Sequence, residues 1–476
     1  MFVQEFSPII DLTVLTYFVA LQSFYTVLIV LAFIEIARRR AERMPELDVA
    51  LLMEQSTPPV TILVPAHNEG SSVVETVRGL LRLHYREVEI LVINDGSEDD
   101  TLQRLIDAFD LQLAPRPIQR TLATAEVRAM YQSATHDNVW VIDKANGGKA
   151  DSLNAGINAA RAPILCCIDA DTVVVRDALL RMVESFVRDP DQVIAVGGTV
   201  RVANGCEIHD GLVTSVGLPD SWLARFQQVE YLRAFVFGRL GLNRAGGNLI
   251  ISGAFGLFLR EAVVAVGGYD VKTVGEDMDL VIRLHQYAAE NGGRVFQLCE
   301  PIAYTAVPES IRVLSRQRAR WHRGLWESLW RNRGMVGRRR YGLIGFLVMP
   351  LFILFELLGP VVETLGYVWF FLAIAFGFID PKFGVAFFCV AILWGMILSL
   401  TAVIADRWTF RPDERETAGI KIFLTVLLEN FGYRQLTLLF RLRGFWQILR
   451  RSKSWGEMER KGDSSPNSLP GSGKTA

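Results

Sequence analysis

Apolar and polar positions divide the chain into three zones. Residues 12–37, "LTVLTYFVALQSFYTVLIVLAFIEIA", form an almost unbroken apolar run, longer than the ~20 residues a helix needs to cross a bilayer. From the neighbourhood of Thr57 to about Gly337 the chain turns polar, and short apolar runs alternate with polar loops. The apolar signal returns over 341–378, 383–405 and, more weakly, 419–440, where Glu429 and Arg434 interrupt it. "LGP" at 358–360 offers a break in the first of these runs, since proline ends or kinks a helix, and splitting it there gives four C-terminal passes. In the middle zone, residues 60–64, 89–93, 139–142 and 164–168 read as buried strands, with a helix from about Ser71. Strands alternating with helices, with acids collected at strand ends, predict an open, mostly parallel α/β sheet. The loops after its strands converge on one crevice.

Composition sharpens this division. Half of the 476 residues are hydrophobic while 21% are charged, a mixture that fits a polar domain joined to membrane segments. The net charge of −1 hides basic blocks: "RRR" at 38–40, "RRR" at 338–340, and "RLRGFWQILRRSK" near the end. Each abuts an apolar run, as cytoplasmic anchors do, and this puts the N-terminus outside and the middle zone in the cytosol. The start "MFVQEFSPIID" is acidic, so the first run reads as an anchor, not a signal peptide. Five cysteines without CxxC spacing predict neither a disulfide framework nor a zinc site. The expected organisation is an anchor over 1–37, a catalytic-type domain over 57–310, an amphipathic interfacial segment over 311–337, membrane helices over 341–440, and a basic, then disordered, tail over 441–476.

Candidate chemistry lies at the strand ends. "CIDADTVV" sets Asp169 and Asp171 one residue apart after an apolar run; two repelling acids suit a hard divalent cation, Mg2+ or Mn2+, that also carries phosphate. Asp95 in "NDGS" can accept hydrogen bonds from a base or ribose, or can cap a turn. "KANGGKADSLNAG" brackets two glycines with Lys144 and Lys149, so the backbone can approach a ligand while the cations face phosphate. In the apolar zone, Glu356 and Glu363 stand seven apart and would share a face wherever the helix continues past Pro360. They read either as packing groups or as polar lining for something hydrophilic in transit.

In order, "VPAHNE", "INDGS", "GGKADSLNAG", "CIDADT", "SGAFGLF", "GEDMDL" and "QRARW" resemble the signatures of family-two glycosyltransferases. They look most like the membrane-embedded synthases of poly-N-acetylglucosamine, chitin oligosaccharides, hyaluronan and cellulose. The resemblance runs from about Val60 to Gly324 and implies a GT-A fold, a nucleotide-sugar donor, a divalent metal and inversion at the anomeric carbon. By position, it implies that Pro65, Glu69 and Asp95 hold the nucleoside and that Lys144 and Lys149 lie near the diphosphate. Asp169 and Asp171 would meet donor and metal. Asp277 would be the general base with Glu276 beside it. Ser252 and Gly253 would line the acceptor, and Gln317, Arg320 and Trp321 would face the acceptor end and diphosphate. Gly275 stands where the family often has threonine. The resulting expectation is a bacterial inner-membrane synthase. It would add sugar from UDP-N-acetylglucosamine first, or UDP-glucose second, to a β-linked glycan and pass the polymer through its own helices. Regulatory or export subunits are expected partners, and nucleic acid is not. A single transfer to a lipid acceptor is one alternative. A non-catalytic export subunit is another, and the intact acids Asp169, Asp171 and Asp277 argue against it.

Overall fold

The computed structural model describes residues 2–42, 58–410 and 416–450. The start of the "STPP" boundary and the Gly/Ser/Pro-rich tail lie outside the described residues.

Beside a separate two-stranded antiparallel sheet of β9 (Glu207–His209) and β10 (Leu212–Ser215), the polar zone folds around one ten-stranded sheet with the strand order β3-β4-β5-β2-β1-β6-β11-β8-β12-β7. Its centre is β1 (Val60–Ala66), flanked in parallel by β2 (Val88–Asp95) and β6 (Ile164–Ile168), with β5 (Val139–Lys144) parallel beyond β2. β1, β2 and β5 extend the expected strands by two or three residues each, and β6 coincides with the expected 164–168. On the far side β11 (Phe255–Leu259) enters antiparallel to both β6 and β8 (Val193–Val202), and β12 (Arg294–Thr305) runs parallel to β8. The short β3 (Leu111–Leu113), β4 (Val127–Ser133) and β7 (Val173–Val174) complete the sheet antiparallel to their neighbours. The sheet is mixed, but all its strands except β4, β7 and β11 run in one direction, so it is mostly parallel by strand direction, as predicted.

Side-chain alternation explains why the central strands read as continuous apolar runs. Ile62, Val64, Val92 and Cys166 feed one core, while Leu63, Leu91, Ile93 and Cys167 feed a second on the opposite face. A strand covered on both faces needs apolar residues at every position. The register pairs Ala66 with Asn94 and Asp95 with Lys144, so the loops after β1, β2 and β5 leave the same edge. The helix expected from Ser71 forms as α2 (Val73–Leu81), after α1 (Phe2–Glu42).

The membrane zone departs from four C-terminal passes. Among the described residues two helices are long and apolar enough to cross a bilayer, Ser7–Arg39 within α1 and Pro381–Arg407. Ile344–Leu357 and Gly359–Ala375 meet at the "LGP" break, but the bend is only 42°. They qualify by length and apolarity only as a pair, as one broken span or a re-entrant loop, and not as two separate passes. The weak run over 419–440 fails for a different reason. Glu416–Leu428 has 13 residues, and at ~1.5 Å per residue that falls short of a ~30 Å hydrocarbon layer. Non-helical Phe431 and Gly432 then interrupt it. The following helix, Arg434–Leu449, lies against Ile311–Arg331, the helix of the expected interfacial segment. There, a Cβ on Gly444 would come within 2.7 Å of the Ala319 carbonyl oxygen. At the base of Pro381–Arg407, Asp406 forms a buried ion pair with Arg201 of β8, which ties that helix end to the sheet domain.

Candidate active site

A cavity of about 730 Å³ opens at the carboxyl edge of the sheet and continues between the apolar helices. It brings together all but one of the expected site residues. Pro65 lies one residue before the end of β1, and Glu69 follows in the loop, where Ser72 Oγ donates to its carboxylate at 2.9 Å. Asp169 and Asp171 come from the turn after β6. Ser252 and Gly253 come from the segment entering β11. Glu276 and Asp277 open α3 (Glu276–Asn291), and Gln317, Arg320 and Trp321 lie on α4 (Ile311–Arg331).

Lys144 is the exception, and its expected role at phosphate is corrected here. Its side chain is 0% exposed and does not line the cavity. The ammonium donates to Asp95 Oδ1 at 2.5 Å and to the Ala145 carbonyl oxygen at 2.7 Å, and pairs with Asp151 at 2.8 Å. A strand end between two carboxylates leaves a lysine no direction toward solvent. Asp95 is changed by the same cluster. The backbone N–H groups of Gly147 and Gly148 also donate to it, at 2.9 and 2.7 Å. The carboxylate therefore clamps the glycine turn and keeps only one acceptor position on Oδ2 for a nucleoside.

That turn aims Lys149, the first residue of the helix Lys149–Ala159, into the cavity. Lys149 Nζ pairs with Asp169 Oδ1 at 2.6 Å. The charges of Asp169, Asp277 and Glu276 hold its ammonium well above the ordinary lysine range despite burial. Lys149 thus sits among the acids of both loops.

The paired acids at the start of α3 carry the reactive character. Gly253 N–H donates to Asp277 Oδ2 at 2.9 Å, and Oδ1 has no hydrogen-bond partner among the described residues. Burial raises Asp277 above the usual carboxylate range against the pull of Lys149, and the charge of Asp169 adds to the rise. Burial, then the neighbouring Asp277, pushes Glu276 up to about 7. A half-buried carboxylate with one oriented and one unpartnered oxygen can take a proton.

Trp321 is 44% exposed at the cavity wall. The Arg318 guanidinium lies 4.2 Å over its ring and is itself held by Glu230 at 2.8 Å, which also accepts from Tyr433 at 2.7 Å. Sequence reasoning missed this support, together with Arg239, Asn248 and His322, which also line the cavity. No local pattern marks them; only the packing of distant segments brings them there. Glu356 and Glu363 line its membrane end, along with Glu429, Arg434 and Arg441.

Comparisons with known proteins bear on the family and the fold. Residues 58–324 match the family described as glycosyltransferase like family 2. The poly-beta-1,6-N-acetyl-D-glucosamine synthase of Staphylococcus aureus (strain COL) is 31% identical over 275 residues, 57% of this chain and 56% of that protein. The synthase of the same name from Staphylococcus epidermidis is 31% identical over 273 residues, with the same coverage. The chain thus matches little more than half the length of these relatives. A mannosyltransferase from Pyrobaculum calidifontis, solved in complex with GDP-Man and Mn2+, superposes with a TM-score of 0.55 at 15% identity, over 92% of this chain and 100% of that one. That likeness concerns the fold, which is GT-A. On the family match, spanning more than half its length, the chain belongs to glycosyltransferase family 2.

Proposed function

We propose that the protein is an inverting membrane glycosyltransferase that extends a β-linked polysaccharide from a UDP-sugar and guides the product into its own apolar helices. The observation that carries this reading is the single cavity that joins the acids of the sheet edge to polar residues among the membrane helices. A one-step transferase has no need of charged lining beyond its acceptor. UDP-N-acetylglucosamine is the first donor in this reading because the Staphylococcus relatives are named for a polymer of that sugar, and UDP-glucose is the second. The setting would be a bacterial inner membrane with the sheet domain in the cytosol, together with other exopolysaccharide subunits.

In this scheme Pro65, Glu69 and the remaining acceptor position of Asp95 border the nucleoside. Lys149 lies beside the diphosphate. Asp277 takes the proton from the acceptor hydroxyl as it attacks the anomeric carbon, and UDP departs from the opposite face. Gly253 holds Asp277 in place through its N–H. Trp321 offers a flat surface to the acceptor's terminal ring.

Asp169 and Asp171 suit a divalent metal. They supply two hard oxygen donors on one loop, and among the described residues no group of three or more His, Cys, Asp or Glu encloses a site. Mg2+ and Mn2+ bind nucleotide phosphates through one or two such carboxylates. When bound, the ion would offset the charge of the diphosphate.

The test is to incubate purified protein in nanodiscs with labelled UDP-N-acetylglucosamine, UDP-glucose and UDP-glucuronate, with and without chelator. Polymer made from a neutral UDP-sugar and abolished by EDTA is expected. A single sugar on a lipid would replace this reading with the lipid-acceptor alternative, and full activity in EDTA would remove the metal.

A further inference from the structure

We propose that His322 is a glycan-contacting residue whose Nε2–H donates a hydrogen bond to an oxygen of the sugar chain in the cavity beside Trp321. The proposal rests on the glycan-extending function above and adds a recognition group outside the "QRARW" stretch.

The tautomer follows from the contacts. His322 lines the cavity on α4 and is 2% exposed, and its ring meets Phe445 at 4.6 Å between centroids. Arg441 Nε lies 3.4 Å from Nδ1. A guanidinium only donates, so Nδ1 accepts and the ring proton sits on Nε2. That nitrogen has no hydrogen-bond partner among the described residues. A buried donor without a partner is costly, so its retention in a cavity wall calls for an acceptor. Burial, then the Arg441 charge, pushes the imidazole down to about 3, so the ring is neutral at working pH and cannot compete as a cation for the diphosphate.

The ring is also held from behind. Arg441 Nη2 contacts Glu356 Oε2 at 3.1 Å, and Tyr25 Oη donates to Glu356 Oε1 at 2.7 Å. A chain of side chains from α1 therefore fixes the guanidinium that fixes the imidazole. A neutral, oriented N–H donor suits the hydroxyl, ring or acetamido oxygens of an uncharged sugar.

Two variants separate the donor from the ring. His322→Phe keeps the ring and its contact with Phe445 but has no N–H, while His322→Gln restores an amide N–H near the position of Nε2. Full-length protein in nanodiscs is titrated calorimetrically with a β-linked N-acetylglucosamine pentasaccharide and with UDP, and product length is measured in parallel. The expected result is a roughly tenfold weaker pentasaccharide affinity and shorter product for His322→Phe, with UDP affinity unchanged, and near wild-type behaviour for His322→Gln. Wild-type glycan affinity in His322→Phe overturns the proposal, as does a His322→Gln protein that keeps UDP affinity yet loses glycan affinity. If His322→Phe also loses UDP affinity through misfolding, the glutamine variant alone decides by the same criterion. A wild-type protein that binds the pentasaccharide but makes no polymer from any UDP-sugar sinks the polymerase reading and leaves His322 standing.

Discussion

Glu276 and Asp277 give the site a pH signature with opposite signs for stability and rate. Glu276 is raised from 4.5 to about 7. Between those values the folded protein binds a proton that the unfolded chain releases, so the unliganded protein loses stability as pH rises through that window. Transfer needs the ionised base and gains over the same range. Measured from about pH 5 to about pH 8, kcat/KM should therefore rise while Tm falls, and the apparent midpoint belongs to the coupled pair. Asp277→Asn should lower turnover by about 10²-fold or more with UDP affinity nearly intact. A proportional loss of UDP affinity would make Asp277 structural. Lys144 calls for the opposite test. Lys144→Met leaves Asp95 and Asp151 facing each other without their cation, a loss of about 3 kcal/mol or more in stability. A variant with unchanged Tm and weakened UDP binding would return Lys144 to the phosphate. Motif identity made the site's acids legible from the sequence, whereas the direction of Lys144 was not. A lysine beside glycines looks the same whether it faces ligand or a buried carboxylate, and only the register of β2 against β5 decides.

Among the elements, the strands were legible because a strand buried on both faces is a nearly continuous apolar run, as β6 shows and as β1 shows apart from Thr61. The C-terminal passes were less so. Apolarity alone cannot separate a span from a helix that is apolar because it packs on protein, and Arg434–Leu449 is of the second kind. Its place against α4 depends on Gly444, where any Cβ would meet the Ala319 carbonyl oxygen at 2.7 Å. Backbone cannot yield as a flexible side chain can, so Gly444→Val should cost about 1–3 kcal/mol. It should also shift the His322–Phe445–Arg441 wall and shorten the product, with UDP binding on the sheet side preserved. Thermal unfolding and product sizing of the same preparation test both parts. Unchanged Tm and product length would mean that the two helices are not held together at this point.

At the scale of the whole molecule, the proposed function raises the question of how a hydroxyl-rich polymer would leave a site set against apolar helices. Unpaired hydroxyls are costly in an apolar medium, so the path needs polar lining of its own. Glu356 and Glu363 flank the 42° break at "LGP", and both line the far part of the cavity that begins at Asp95 and Asp169. This favours the transit reading of the two acids over the packing one, although Glu356 also anchors Arg441 and Tyr25. The two roles can be separated by comparing the acids. Glu363→Leu removes a lining carboxylate for which no such ion pair is seen among the described residues, and Glu356→Leu removes lining and anchor together. In nanodiscs, both leucine variants should make shorter or less polymer while hydrolysis of donor to UDP stays measurable, and Glu356→Leu should also lower Tm. UDP release and product length, measured side by side, distinguish a blocked exit from a damaged catalytic site, because only the second lowers both in step. If both variants make wild-type polymer, the acids belong to packing, and the product leaves by another route.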